Sequence, residues 1–290
     1  MATQYFLNHC PSDFHDLFGF HRKEFDDLVI QYRALNHFKR GSISAECSLL
    51  MGMVHLRHMP SMRLGALLFR AKKSSYQKHK DRAIEFLFAR YSPFICVRKV
   101  PSTADLPNSS FKAAYILDGS EQPVQSSKDP LVENSLFSAK KKQHSATVVP
   151  VIEAQGDWAA HLTPTYEGSM TDGSILLLFW SDWSTQHLLA CHVGLADAGC
   201  KGYDNLLVPD PQPEARQFMR VRSRIECYFS KVKKFRACSD RLRMKAAGRV
   251  QEVLAAHNRH WRIVMGLYNS RMCSGNKYEE KLRDLIKLKK

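Results

Sequence analysis

The sequence predicts a mixed α/β domain preceded by a helical domain with the outline of a helix-turn-helix. Three observations carry this. Apolar residues recur at helical spacing over residues 14–90. Beyond residue 112 short apolar runs ended by turn residues replace that pattern. A long amphipathic helix then follows Pro213.

In the first region Phe25, Leu28, Val29 and Tyr32 share one helical face, as do Leu49, Leu50, Met53, Val54 and Leu56. Pro60-Ser61 breaks the pattern and offers Ser61 as N-cap of a short helix, Met62 to Phe69. After Arg70-Ala71, a helix from Lys73 to Ala89 is expected to bury Tyr76, Ile84, Phe86 and Leu87. Two short helices, a tight turn and a basic third helix give the helix-turn-helix outline. Any small helical bundle gives the same pattern.

Pro101 to Ser110 is turn-rich and reads as a linker. Ala113 to Leu117 is a buried strand stopped by Asp118-Gly119. Thr147–Ile152 and Trp158–Leu162 read as two strands about the turn Gln155-Gly156-Asp157, with Pro150 placing the first at an edge or a bulge. Thr171 or Asp172 caps a helix through Ile175 to Trp183, and His192–Ala196 is a fourth strand. The helix after Pro213 puts Phe218, Val221, Ile225, Phe229 and Val232 on one face. The expected domains are a helical 1–95, a linker 96–112, an α/β domain 113–268 and a basic helical tail 269–290.

Charge is unevenly distributed. The 290 residues hold 43 Lys+Arg and 28 Asp+Glu, for a net +15. Residues 1–100 contribute +8, 101–150 balance, 151–200 contribute −6 with no Lys or Arg, and 201–290 contribute +13. Such an excess points to an anionic partner, although a charge run is also what a solvated helix face looks like. A 44% hydrophobic composition argues against global disorder. No apolar run is long enough to span a bilayer, and the polar N-terminus does not read as a signal peptide, so no membrane partner is expected. Eight scattered cysteines, none in a C-x-x-C pair, fit reduced thiols and argue against a structural zinc site.

Four carboxylates stand in informative places. Asp118 and Asp197 end the first and fourth strands, Asp172 opens the intervening helix, and Glu226 lies within the long helix, beside its apolar stripe. Each has a plain structural use: a turn for Asp118-Gly119, an N-cap for Asp172, loop punctuation for Asp197, and an i,i−4 pair with Arg222 for Glu226. If the first and fourth strands are neighbours, Asp118, Asp197 and Glu226 share one volume, with Glu226 facing the sheet edge. Like charges so placed repel, and a divalent cation such as Mg²⁺ relieves the repulsion. Two such ions about 4 Å apart support phosphodiester cleavage.

Tyr115-Ile-Leu-Asp118-Gly-Ser-Glu-Gln-Pro-Val124 resembles "DGTE-x-PI", and Lys140-Lys-Lys-Gln-His144 resembles "KKKxH". Tyr166-Glu-Gly-Ser-Met-Thr-Asp172 is similar to "PGSxHD", and Leu195-Ala-Asp197-Ala-Gly-Cys-Lys-Gly202 to "ADxGYxG". Arg222-Ser-Arg-Ile-Glu226-Cys-Tyr-Phe229-Ser-Lys-Val-Lys-Lys-Phe-Arg236 is similar to "RxxVExxFGxLKxFR". With these five blocks in order the chain resembles PIF/Harbinger-type transposases and the related DDE superfamily endonucleases, a transposase-derived nuclease family. Ser120, Thr171, Cys200 and Ser230 depart from the pattern beside motif positions, while every acidic position is kept.

The resemblance implies a ribonuclease-H-like mixed-sheet catalytic domain. Asp118, Asp197 and Glu226 would be its metal-binding triad, and Asp172 a fourth catalytic and metal-binding carboxylate that competes with Asp197 for the second place. The activity expected is metal-dependent DNA endonuclease chemistry with strand transfer, using Mg²⁺ or Mn²⁺. DNA would be held by Lys72, Lys73, Lys78, Lys80, Lys140, Lys141, Lys142, Arg222, Lys231, Lys233, Lys234 and Arg236. A Myb-like DNA-binding partner protein, a homodimer and a nuclear location, with the cytoplasm as the other intracellular compartment, complete the expectation. The alternative is a domesticated derivative, weak or inactive in cleavage, that binds DNA or a protein. A glycosidase would use paired carboxylates but leaves the basic C-terminal third without a purpose.

Overall fold

The structure is a computed structural model that describes residues 13–35, 38, 43–98, 112–126, 129–156, 158–209, 215–243 and 250–273. The core of the expected linker and the chain beyond Cys273 lie outside these residues. The chain divides into two compact units: Met1–Arg90 with Lys233–Asp240, and Tyr91–Val232 with Arg241–Lys290.

The first unit is helical: α1 Phe14–Phe18, α2 Arg22–Leu35, α3 Ala45–His58, α4 Met62–Leu68 and most of α5 Lys73–Tyr91. Ser44 and Ser61 cap α3 and α4, accepting from the backbone N–H of Cys47 and Leu64 at 3.2 and 3.1 Å. Each cap satisfies a donor the helix start leaves without a partner. Helix α3 is the core of the unit, with Leu49, Leu50, Met51, Met53 and Leu56 fully buried. Its one buried hydroxyl, Ser48, is shared between Tyr32 of α2 at 3.0 Å and the carbonyl of His79 in α5 at 3.2 Å. Tyr76, Ile84 and Leu87 are buried in α5 as the periodicity predicts, and Phe86 only partly. Lys233–Asp240 belongs to this unit through Phe235, which packs edge-on against Phe20 and lies under the Arg57 guanidinium.

The second unit is built on a five-stranded mixed sheet in the order β6-β5-β1-β8-β9. Its strands are β1 Ala113–Leu117, β5 Pro150–Glu153, β6 Ala159–Leu162, β8 Val193–Leu195 and β9 Leu206–Leu207. β1 pairs antiparallel with β5 and parallel with β8, so the first and fourth strands read in the sequence are neighbours, the condition set for Asp118 and Asp197 to meet. All five residues of β1 are buried, as a central strand requires. A second sheet, β2-β4-β3 with β7 beside β4, holds β2 Ser120–Pro123, β3 Phe137–Ser138, β4 Gln143–Val148 and β7 Tyr166–Glu167. Helices α6 Pro130–Leu136, α7 Asp172–Leu177, α8 Trp180–His187, α9 Ala215–Val232 and α10 Val250–Cys273 complete the unit. Helices with a mixed sheet that includes parallel strands are consistent with the ribonuclease-H-like domain expected.

Several local expectations are corrected. The strand read over Thr147–Ile152 is two strands, β4 and β5, which divide at Val149 and enter different sheets. Pro150 is not at a sheet edge. It is the first residue of interior strand β5, where its missing N–H costs least, and the β5–β6 register slips between Val151 and Ile152 as a bulge would. The helix read through Ile175 to Trp183 breaks at Leu178-Phe179 into α7 and α8.

The boundary expected at residue 268 falls inside α10. Buried Asn269 donates to the carbonyls of Phe94 and Ala159, both at 2.8 Å, and accepts from the Ala159 N–H at 3.0 Å. Gly266 lets α10 close on the chain here, since a β-carbon there would meet the Tyr91 carbonyl at 2.0 Å. Among the described residues no helix is long and apolar enough to cross a membrane, and the described cysteines are all thiols.

Candidate active site

Strand pairing places the first two carboxylates. Ile116 and Leu195 are partners across the parallel β1–β8 pair, so Asp118 and Asp197 leave neighbouring strands at the same end of the sheet. Convergence at the C-terminal ends of parallel strands is where open α/β sheets collect functional side chains. Asp197 folds over a short 3₁₀ turn and accepts from the Ala198 N–H at 2.8 Å.

Asp172 arrives from α7. Thr171, not Asp172, caps this helix, accepting from the Ser174 N–H at 3.1 Å. The Asp172 carboxylate is thereby released from capping. It lies against Gly119, where a β-carbon would come within 1.8 Å of Oδ1. Asp118, Asp172 and Asp197 line one small cleft, walled by Leu117, Val149 and Cys200.

Two cations face these acids. Arg222 of α9 reaches Asp118 Oδ2 from Nη2 at 3.2 Å and Glu226 Oε1 from Nη1 at 3.8 Å. Lys140 Nζ stands 3.4 Å from Asp172 Oδ2. Burial raises the Asp118 carboxyl above its ordinary value; Arg222 and Lys140 oppose this, and Asp172 and Asp197 add to it. Asp172 in turn raises the Lys140 ammonium. The Cys200 thiol is pushed up to about 11, by burial first and then by the three aspartates, so it stays protonated at neutral pH.

Glu226 stands apart from this group. Its side chain is 64% exposed and reaches Asp118 only through Arg222, so it does not face the sheet edge as the helical arithmetic suggested. Among the described residues no three His, Cys, Asp or Glu side chains close up enough to hold a metal ion in this arrangement. The donor set nonetheless suits a hard cation: three converging carboxylates, oxygen ligands only, with positive charge already drawn to them.

The expected DNA contacts separate into groups. Lys72, Lys73 and Lys78 are exposed on the helical unit, whereas Lys80 is 13% exposed and paired with Asp81 at 2.6 Å. Lys141 and Lys142 are exposed on the β3–β4 turn, where Lys142 takes a left-handed φ of 52°. Lys233, Lys234 and Arg236 are exposed and belong to the helical unit, and Lys231, half-buried, ends α9 in the other. Arg222, also expected on the phosphate backbone, is 11% exposed and its guanidinium faces carboxylates.

A family model described as DDE superfamily endonuclease matches residues 117–269, more than half of the chain. The chain belongs to the DDE superfamily endonucleases. No curated protein and no solved structure matches it. Membership in this transposase-derived nuclease family brings the expectation of nuclease chemistry on DNA and of divalent metal use. The matched stretch holds Asp118, Asp172, Asp197 and Glu226. Spacing in the sequence does not show that Arg222, Lys140 and Gly119 lie against Asp118 and Asp172, nor that Cys200 lines their cleft. The signals in the sequence are that all four lie within the quoted motif blocks and, for Arg222, its i,i+4 spacing to Glu226.

Proposed function

We propose that this chain is a metal-dependent DNA endonuclease of PIF/Harbinger transposase type, with Asp118, Asp197 and Glu226 as its metal-binding triad and Asp172 beside them. The observation that carries this reading is the convergence of Asp118, Asp172 and Asp197 on one cleft, at the ends of parallel strands inside the matched region. When bound, a divalent pair supplies Lewis-acid stabilisation of the attacking and leaving oxygens in cleavage and strand transfer. The chain's own part is to hold the carboxylates. β1 and β8 fix Asp118 and Asp197, the Thr171 cap releases Asp172, and α9 carries Glu226 one turn beyond Arg222. Exposed Lys141 and Lys142 would bind the phosphate backbone on the same unit.

The helical unit, with α3, α4 and α5 in helix-turn-helix order, would add DNA contacts through Lys72, Lys73 and Lys78. A nuclear location, a homodimer and a Myb-like partner belong to the same proposal.

One observation favours the second reading, a derivative that binds without cutting. Arg222 and Lys140 already neutralise Asp118 and Asp172 with no metal required. Nicking of duplex DNA in Mg²⁺ and in Mn²⁺ separates the two. Cleavage that falls by about a hundredfold or more in Asp118→Ala supports the endonuclease. Equal nicking in both proteins overturns the assignment of the cleavage to Asp118, and no nicking in either with salt-dependent binding intact supports the derivative.

A further inference from the structure

The two cations of the candidate site are unequal. Lys140 is an exposed lysine on a turn and meets one carboxylate. Arg222 is largely buried and divides its guanidinium between carboxylates of different elements, strand-end Asp118 and helical Glu226. Its Nε is buried with no hydrogen-bond partner. Arginine normally satisfies a buried carboxylate with its planar fork, two parallel N–H bonds to one partner. Here Arg222 gives one arm to each acid and its buried Nε–H is left over. What it does supply is positive charge at the place where Asp118, Asp172 and Asp197 converge.

We propose that Arg222 is a positioning residue that stands in for the divalent cation in the metal-free chain. It neutralises Asp118, draws Glu226 towards itself and away from the cleft, and must withdraw from Asp118 when a metal is loaded. The inference rests on the metal-site reading of these carboxylates. Its consequence concerns affinity: a cation within 3.2 Å of Asp118 repels an incoming divalent ion, so Arg222 weakens metal binding. An arginine with a merely structural role does the opposite, because its loss disorders the carboxylates and weakens the site further.

The test is calorimetric titration of the metal-stripped full chain with Mn²⁺, for the unmodified protein, Arg222→Met, Arg222→Lys and Asp118→Ala. The expected result is binding about tenfold tighter in Arg222→Met, which corresponds to about 1.4 kcal/mol. Arg222→Lys, which can reach only one carboxylate, is expected about threefold tighter. Asp118→Ala should not bind. If Arg222→Met does not fold, Arg222→Lys decides by the same sign. Unchanged or weaker binding in the arginine variants overturns the stand-in role and leaves the metal site in place. Absence of Mn²⁺ binding in every protein removes the metal site, and the stand-in role with it.

Discussion

The Asp172 carboxylate occupies the space that a side chain on Gly119 would need: an added β-carbon would sit 1.8 Å from Oδ1 and 2.5 Å from Cγ. The obstacle is the end of a side chain, not backbone, so the clash is relieved by turning Asp172 out of the cleft. Gly119→Ala is therefore expected to fold, with a melting temperature within about 3 °C of the parent. Its metal-dependent nicking should fall by about tenfold to a hundredfold. Thermal unfolding and a plasmid nicking assay on the same preparation check both halves. A large loss of stability would mean that the glycine serves the fold.

Local signals in the sequence carry further than neighbour relations. The Ser61 cap and the buried faces of α2, α3 and α9 follow from spacing within one element, and each is present. Asp118 and Asp197 meet only if their strands pair, which spacing alone does not decide and the β1–β8 ladder supplies. Glu226 shows the limit. The 100° arithmetic fixes its angle on α9, but Arg222, one turn earlier, takes the position facing Asp118 and leaves Glu226 to solvent. The division at Val149 was equally hidden, because an apolar run of β-branched residues reads the same whether it serves one sheet or two.

Asn269 predicts a stability effect far from any charge. Asn269→Ala removes three hydrogen bonds and takes this partner from the buried Ala159 N–H and C=O, while the Phe94 C=O keeps its contact with Cys96 Sγ at 4.0 Å. Each unsatisfied buried group costs about 1–3 kcal/mol, partly relieved by relaxation, so a loss of about 3 kcal/mol is expected. Urea unfolding should show a lower midpoint with an unchanged slope. A change within error would place the residue in the peripheral tail its position first suggested.

Two histidines predict how stability depends on acid. Burial, aided by His260, lowers His257 to about 3, and its Nδ1 shares a 2.8 Å hydrogen bond with Thr165 Oγ1. Burial, with Arg262 and His187, lowers His161 to about 4. The folded chain keeps both rings neutral while the unfolded chain protonates them near 6.5. Their contribution is whole above pH 6.5 and is lost as pH falls from there towards 4 for His161 and 3 for His257. Each removes about 1.4 kcal/mol per pH unit within its window. Melting temperatures measured from pH 7 to pH 4.5 should decline, and His257→Asn should flatten the decline by one histidine's share. An unchanged slope in that variant would show that His257 takes its proton without unfolding.

Salt dependence separates cations that meet DNA from cations that serve the acids. Lys141 and Lys142 are exposed on the β3–β4 turn, Lys140 at the same turn faces Asp172, and Arg222 faces Asp118. A lysine on a phosphate releases counterions, and the slope of log K against log salt is about −0.9 for each contact on duplex DNA. Lys141→Gln with Lys142→Gln should make the slope shallower by about 0.9 for each phosphate lost and weaken binding alike on all sequences. Arg222→Met, with its charge already compensated by Asp118 and Glu226, should leave the slope where it was. Fluorescence anisotropy with a labelled duplex over a range of NaCl concentrations measures this. A slope change in Arg222→Met as large as in the lysine double variant would put the guanidinium on the phosphate backbone in the complex, against its placement among carboxylates.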